Sequence, residues 1–544
     1  MLLGERAKRL LLSALLSILA SVASGVALFA SQPSFDFSAL AWVGLVPLLL
    51  VVSGKRPGAA FLLSYLTGGV FFLGIFDWIL EISGYTWLHH GILAVYLGSY
   101  FAVFGLLFNL IRRRLGLVPA LIAAPFFWIP LEYLRSNMSF MALPWALLSH
   151  SQFQNPLFIQ IASLTGAYGV SFVIVLVNAG FTCFLAFFVP LAGTGKGEET
   201  RKQGRVALVS VTAMVFLFVI AYGFVKIREP LSGETVKVAL VQGNIDQSRK
   251  WDPKYATEIM EVYTGLTLEA FEGSPSLVVW PETATPRAIN SDQAIYQKVK
   301  NLANSKGTHI LLGSAQLQKF RVQGGKKGQY HNSAFLIGPE KGSNNDQRYD
   351  KVRLMTFGEY LPYKEKIPWS VIGIQEVGGY LPGNQYRVLK HPQIALGVTI
   401  CWENIFPEVV REFVRNGAQC IVNITNEAWF GKTAAPYQFL SMSVFRAVEQ
   451  RLYVLRCANT GISCVIDPCG RVVDRIEDSR GLDIFVRGFM NKSIVPLQSK
   501  TIYNQFGDWF AWLCVLVSIL FLVVTAFKKS LSDSQVAEAH LKGA

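Results

Sequence analysis

The sequence predicts an integral membrane α-helical domain of about eight transmembrane helices joined to an external α/β domain. Three observations predict it. The 544 residues are 52% hydrophobic and only 16% charged, and the mean hydropathy is +0.37. That is too apolar for an ordinary soluble protein. Apolar runs of about 20 residues, enough for a helix to cross a bilayer, recur through positions 1–226 and return at 508–528. Between them, 227–507 has mixed polarity, with short β-rich runs alternating with helical patterns. Such alternation suggests a sheet covered by helices.

In order, the apolar runs are 10–30, 37–53, 58–80, 90–111, 117–134, 166–192, 206–226 and 508–527, the second being the shortest. Their orientation follows from the excess of Lys and Arg in cytoplasmic loops. Arg6, Lys8 and Arg9 precede the first run, Lys55 and Arg56 follow the second, and Arg112, Arg113 and Arg114 follow the fourth. Lys196, Arg201, Lys202 and Arg205 separate the sixth from the seventh, and Lys528 and Lys529 follow the eighth. The alternate loops 31–36, 81–89 and 136–165 contain no Lys or Arg. With eight crossings every basic cluster falls on one side, so both termini, including the 529–544 tail, are expected in the cytoplasm. The 227–507 domain is then expected on the periplasmic side of a bacterial inner membrane. Lys226 and Arg228 break the pattern, but long domains translocate largely regardless of charge. A cleaved signal peptide ending near Ser21-Val-Ala23 is the lesser reading of the first run.

Glu132 and Arg135, three apart at the end of the fifth run, share a helical face. They line a polar cavity or snorkel to the headgroups; both readings stand at this point. The following Phe140–Trp145 and Pro156–Gln160 are apolar but broken by Pro144 and Pro156, which suits a re-entrant or interfacial segment.

In the central domain, strands are expected at 236–242, 277–280, 310–313, 332–337, 395–400, 420–424, 452–455 and 463–466. Helices are expected at 254–272, 292–306, 406–416 and 436–450. Chemistry in such sheets gathers at the carboxyl ends of strands. Glu282, Cys401 and Asn426 all lie just beyond such ends. Cys401 ends the run Ile394–Cys401 and precedes Trp402-Glu403. A thiol attacks only as thiolate and needs a base or a positive neighbour. Glu282 after Leu277-Val-Val-Trp-Pro281 and Lys351 after Arg348-Tyr-Asp350 could supply both. Taken singly, each residue is more simply a core thiol, a surface carboxylate or a solvated lysine. Their joint delivery to strand ends favours an acyl-transfer site. A membrane-anchored amidase using water, or a non-enzymatic ligand-binding receptor, also fits the residues alone.

The net charge of +14 is scattered in short clusters, a topology signature rather than a nucleic-acid stripe. Seven cysteines without a CxxC pair fit neither a disulfide scaffold nor a zinc site, so no metal is expected. Cys420, Cys457, Cys464 and Cys469 are expected in the core, and Cys183 and Cys514 within spans.

The segments Val278-Val-Trp-Pro-Glu282, Tyr349-Asp-Lys351 and Cys401-Trp-Glu403 resemble the three signatures of the nitrilase (carbon–nitrogen hydrolase) superfamily. The chain as a whole, spans included, resembles that superfamily's membrane-anchored branch, the apolipoprotein N-acyltransferases. Further matching segments are Val241–Trp251, Phe357–Pro362, Asn423–Asn426, Trp429–Gly431 and Ala458–Gly461. Three departures leave the triad untouched: Met355-Thr356 for the usual Val-Pro, Glu427 for an aspartate, and Trp402 for a tyrosine.

The resemblance implies a nitrilase-like α-β-β-α sandwich for the external domain and a Glu282-Lys351-Cys401 triad. It implies positioning roles for Glu359 and Glu403 and an aromatic at the pocket mouth in Trp251. Asn332 would join the site through a hydrogen bond, and Trp402 would wall the substrate. It further implies transfer of a fatty acyl chain from a phospholipid, usually phosphatidylethanolamine, through a Cys401 thioester. The acceptor is the α-amine of an N-terminal S-diacylglyceryl-cysteine on an apolipoprotein, and no cofactor is required.

Overall fold

The computed structural model describes residues 5–33, 35–188, 198–322, 325–339, 346–374 and 379–542. Lys196 lies outside the described residues, as do the side chains of Arg201 and Lys529. The chain divides into two compact units. One comprises Met1–Leu80, Tyr85–Val225 and Asp508–Ala544; the other comprises Glu81–Gly84 and Lys226–Gly507.

Among the described residues of the first unit, seven helices are long and apolar enough to cross a membrane. They are Glu5–Ala30, Pro57–Ile75, Trp87–Leu115, Leu117–Asn137, Ala167–Leu185, Lys202–Ile227 and Trp509–Lys528. Small residues let them approach closely, as is usual where lipid offers no hydrophobic drive. A Cβ on Gly68 would meet the Phe101 Cβ at 2.8 Å. The run 37–53 is not one continuous helix. It forms a 3-10 turn, Ser38–Trp42, and a short helix, Val46–Ser53, with Gly44 and Pro47 at the join. Inside a membrane a broken helix needs its freed backbone groups paired. Asn178 does this, accepting from Leu45 N at 2.8 Å and donating to Ala41 O at 2.8 Å. Asn109 Nδ2 donates to Val52 O (2.8 Å) and Lys55 O (3.0 Å) at the basic end of Trp87–Leu115. This broken segment therefore returns the chain to the end that carries Arg112, Arg113 and Arg114.

Residues 139–165 form short turns and helices whose side chains are largely buried, including Trp145, Leu148 and Gln160. Glu132 and Arg135 are buried as well, which rules out snorkelling. Glu132 Oε1 accepts from Trp128 Nε1 (2.9 Å) and Leu148 N (3.0 Å), while Arg135 Nη1 donates to Trp145 O (2.6 Å). Both line a cavity of about 20 Å³, the size of one water.

The second unit has two six-stranded sheets. The strands are β1 (Val236–Gln242), β2 (Leu277–Val279), β3 (His309–Val322), β4 (Gly325–Ile337), β5 (Gln347–Asp350) and β6 (Leu389–His391). They continue with β7 (Ile394–Ile400), β8 (Cys420–Thr425), β9 (Val454–Ala458), β10 (Cys464–Ile466), β11 (Val472–Arg475) and β12 (Gly488–Ile494). One sheet has the order β12-β1-β2-β3-β4-β5 and the other β11-β10-β9-β8-β7-β6. Strands β1-β2-β3 and β7-β8-β9 run parallel at the two centres, and antiparallel strands close the edges. Their central runs are apolar on both faces because helices cover one side and the second sheet the other.

Ile259, Met260 and Tyr263 of helix Ala256–Ala270, with Val299 and Leu302 of Gln293–Lys306, pack on Val278, Ile310 and Leu312. Helices Pro407–Arg415 and Ala435–Gln450 pack on the second sheet. Between the sheets, Cys457 Sγ on β9 reaches Val241 O (3.4 Å) and Val279 O (3.3 Å). The four layers are those of an α-β-β-α sandwich.

Candidate active site

Glu282, Lys351 and Cys401 each follow the end of a strand. β2 ends at Val279, and Trp280 anchors the chain beyond it by burying its ring on Tyr263 (5.1 Å) and donating Nε1 to Thr267 Oγ1 at 2.9 Å. The next turn wraps around Gly313 of β3. Gly313 N donates to Pro281 O (3.2 Å), and Ala284 N donates to Gly313 O (2.8 Å). A Cβ on Gly313 would sit 2.6 Å from the Glu282 Cα, Pro281 O and Thr283 N, so only glycine fits. Glu282 thus projects from a fixed turn.

Lys351 follows β5, a short edge strand in which only Tyr349 is buried, not the apolar strand its neighbours have. Lys351 N donates to Asn332 O on β4 at 2.9 Å. Cys401 follows β7 directly and opens a 3-10 turn, Cys401–Ile405, with φ of 52°. A β-carbon in this left-handed region costs energy, and such positions cluster at functional sites.

The side chains form one connected network. Asn332 Nδ2 donates to Glu282 Oε1 (2.8 Å) and to Glu359 Oε1 (3.0 Å). Asn426 N, beyond the end of β8, donates to Glu282 Oε2 at 2.8 Å. Lys351 Nζ lies 2.9 Å from both oxygens of Glu359 and 4.0 Å from Glu282 Oε1. Met355 N also donates to Glu359 Oε2 (2.7 Å), so Glu359 fixes the lysine to its own loop. Burial alone would depress the Lys351 ammonium, but Glu359, Cys401 and Glu282 together hold it well above the ordinary lysine range. Burial pushes the Cys401 thiol up to about 12, the Glu282 charge adds to this, and Lys351 and Thr425 pull it back. The cysteine therefore rests as a thiol, and the thiolate arises as the proton leaves.

Glu403 is fully buried, and both of its carboxylate oxygens are taken up by protein donors. Its Oε1 accepts from Tyr349 OH (2.6 Å), Val352 N (2.8 Å) and Arg353 N (3.0 Å), and its Oε2 accepts from Ile400 N (2.9 Å). It clamps the Lys351 loop to the end of β7. Trp402 packs on Phe406, ring centroids 5.4 Å apart. Trp251 is 46% exposed. Glu427 forms a fully buried ion pair with Arg456, away from solvent. Among the described residues, no group of three His, Cys, Asp or Glu side chains could hold a metal ion.

Two further residues enter that sequence reasoning did not assign. Asn459 ties Ile245 and Asn426 together, with Nδ2 donating to Ile245 O (2.7 Å) and Asn426 Oδ1 (3.0 Å). Lys250 is buried, and its Nζ donates to Glu282 O at 3.0 Å. The segment Val241–Trp251 held the only sequence signal for Lys250, and nothing in it marks one lysine as buried.

Comparison with known proteins gives concordant matches. The family model described as apolipoprotein N-acyltransferase N-terminal domain matches residues 24–180, and that for carbon-nitrogen hydrolase matches 237–484. The chain is 37% identical over 525 residues to the apolipoprotein N-acyltransferase of Geobacter metallireducens, covering 94% of this chain and 96% of that protein. It is 29% identical over 541 residues to that of Chlorobaculum tepidum, covering 94% and 96%. For that of Haemophilus influenzae it is 28% over 532 residues, covering 94% and 95%. Among solved structures, an amidase from Nesterenkonia sp. aligns with 18% identity and a TM-score of 0.36, over 52% of this chain and 96% of that one.

Proposed function

The chain belongs to the apolipoprotein N-acyltransferase family, and from that premise we propose how its own residues carry out the acyl transfer. The enzyme is a membrane acyltransferase of lipoprotein maturation, with lipid substrates and a lipoprotein acceptor. Cys401 is the nucleophile, Glu282 the general base and acid, and Lys351 the cation beside the reacting carbonyl. The observation that carries this reading is the single network joining Glu282, Asn332, Glu359 and Lys351 around the strained Cys401 turn.

In the first half-reaction Glu282 accepts the Cys401 proton as sulfur attacks the sn-1 ester carbonyl of a phospholipid, phosphatidylethanolamine by family resemblance. The tetrahedral oxyanion is met by Lys351 and a main-chain N–H of the turn after Cys401. It collapses, the C–O bond breaks, and the glycerol oxygen takes the proton back from Glu282. Lysophospholipid leaves and a thioester remains. In the second half-reaction the free α-amine of an S-diacylglyceryl-cysteine attacks the thioester. Glu282 accepts a proton from the amine, the C–S bond breaks, and the thiol is restored with an amide formed. The kinetics are ping-pong. The alternation of basic clusters supports a periplasmic catalytic unit, 227–507, between the helices of 1–226 and the final span, 508–528, with both termini and the 529–544 tail cytoplasmic.

The test is intact-mass measurement after incubation with phosphatidylethanolamine. A fatty-acyl increment is expected on the wild type and none on Cys401→Ser. Adding a diacylglyceryl peptide should discharge the increment onto the peptide amine. An amidase predicts hydrolysis of small amides with no lipid-derived adduct, and that outcome would sink the proposal.

A further inference from the structure

Lys250 takes no part in the chemistry above, yet it is a buried amine at the site. It lies 2% exposed on the loop after β1, immediately before the half-exposed Trp251. A buried ammonium is retained only when paired and hydrogen-bonded. Lys250 Nζ donates at 3.0 Å to the main-chain carbonyl of Glu282, the residue whose side chain is to accept the proton.

The loop it belongs to is fastened at three other points. Asn244 N donates to Asn459 O at 2.9 Å, and Asn459 and Ile245 exchange two further hydrogen bonds. Gln247 Oε1 accepts from Asn426 Nδ2 at 2.8 Å, while Asn426 N holds Glu282 Oε2. The loop is therefore attached to the ends of β8 and β9 by asparagines and to the end of β2 by Lys250.

We propose that Lys250 is a positioning residue of the active site, whose charged ammonium holds the Glu282 turn in register and ties the Trp251 loop to the general base. This hold adds to the two hydrogen bonds that Gly313 makes with the same turn. Thr283 in that turn lies in left-handed backbone with φ of 45°, and the turn fills the space that Gly313 leaves by having no side chain. Removing the ammonium leaves the Glu282 carbonyl buried without its donor and lets a strained turn relax. The charged and titratable groups facing Lys250 are Glu282 and Cys401. Burial lowers the Lys250 ammonium to about 8, against the pull of those two groups. The protonated form that the proposal requires is thus present below that pH and lost above it.

The inference rests on Glu282 and Cys401 acting as assigned above. The experiment follows the rate of acyl-enzyme formation with phosphatidylethanolamine by intact mass between pH 6 and 10, on the full-length protein in detergent. Wild type is expected to lose rate as pH rises through about 8. Lys250→Arg, charged throughout this range, should keep most of the rate and lose that limb. Lys250→Met should fall about tenfold or more at pH 7, with the donor KM changed less than about twofold, as for loss of transition-state positioning alone. A limb near pH 8 that persists unchanged in Lys250→Arg overturns the proposal, as does a Lys250→Met rate equal to wild type. Should Lys250→Met fail to fold, the arginine profile decides alone. Failure of the underlying mechanism would look different: wild type itself would form no adduct on Cys401.

Discussion

At the residue scale, Asn332 matters because one amide group holds two carboxylates. Its Nδ2 donates to Glu282 at 2.8 Å and to Glu359 at 3.0 Å, which fixes both side chains on one donor in a buried site. Asn332→Ala is expected to slow acyl-enzyme formation by about 100-fold while the melting temperature moves little, since a general base acts only within hydrogen-bond reach of its proton. Single-turnover kinetics checks this, and a rate within about threefold of wild type would refute it. The sequence could name Glu282, Lys351 and Cys401 because each follows a readable strand or signature. It could not tell that Glu403 is spent on main-chain donors of the Lys351 loop while Glu359 meets the lysine. Each is a carboxylate close in the chain to a triad residue, Glu403 to Cys401 and Glu359 to Lys351, and only burial and partner geometry separate their roles.

At the scale of elements, the central strands were legible and the edges were not. β1, β2, β7 and β8 are short apolar runs, a pattern that burial on both faces imposes. β5, β6, β11 and β12 are edge or near-edge strands with mixed composition, such as Gly488-Phe-Met-Asn-Lys-Ser-Ile494, and carry no comparable pattern. The polar outer halves of β3 and β4 were invisible for the same reason. The broken span 38–53 shows the converse: its composition is apolar throughout, and its break depends on Asn178 from a helix more than a hundred residues later.

One pair of elements predicts a pH response. His391 on β6 packs against His309 on β3, ring centroids 4.6 Å apart, and is hydrogen-bonded to Ser276 O and Gln393 N. Burial, and then His309, push His391 down to about 4. An unfolded histidine titrates near 6.5, so the unfolded chain binds the extra proton first. The resulting stability is fully present above about pH 6.5 and is lost as the pH falls to about 4, by up to about 3 kcal/mol. Urea unfolding across that window should show the loss in wild type and a flatter profile in His391→Gln. Equal profiles would count against it.

On the scale of the whole molecule, charge distribution predicts sidedness. A single cysteine introduced at Leu231, which is exposed in the second unit, should react with a membrane-impermeant maleimide added from outside the cytoplasmic membrane. One introduced at Arg113 should react only after the membrane is opened. Labelling of the two in the reverse order would overturn the orientation.

The register of the first sheet has a consequence for how the chain is made. β1 pairs with β12 along its whole length, Val236 opposite Ile494 and Gln242 opposite Gly488. The ribosome delivers these strands at opposite ends of the domain. Until the last is delivered, β1 presents an open edge of the kind that recruits foreign strands. The turn carrying Glu282 hangs from β2, the strand next to β1. Completion of the sheet thus waits for nearly the end of synthesis: its last strand ends at Ile494, and the membrane helix that follows begins at Trp509. The enzyme is assembled last at the seam where it began, so a partly made chain has no finished acyl-transfer centre to expose to lipid.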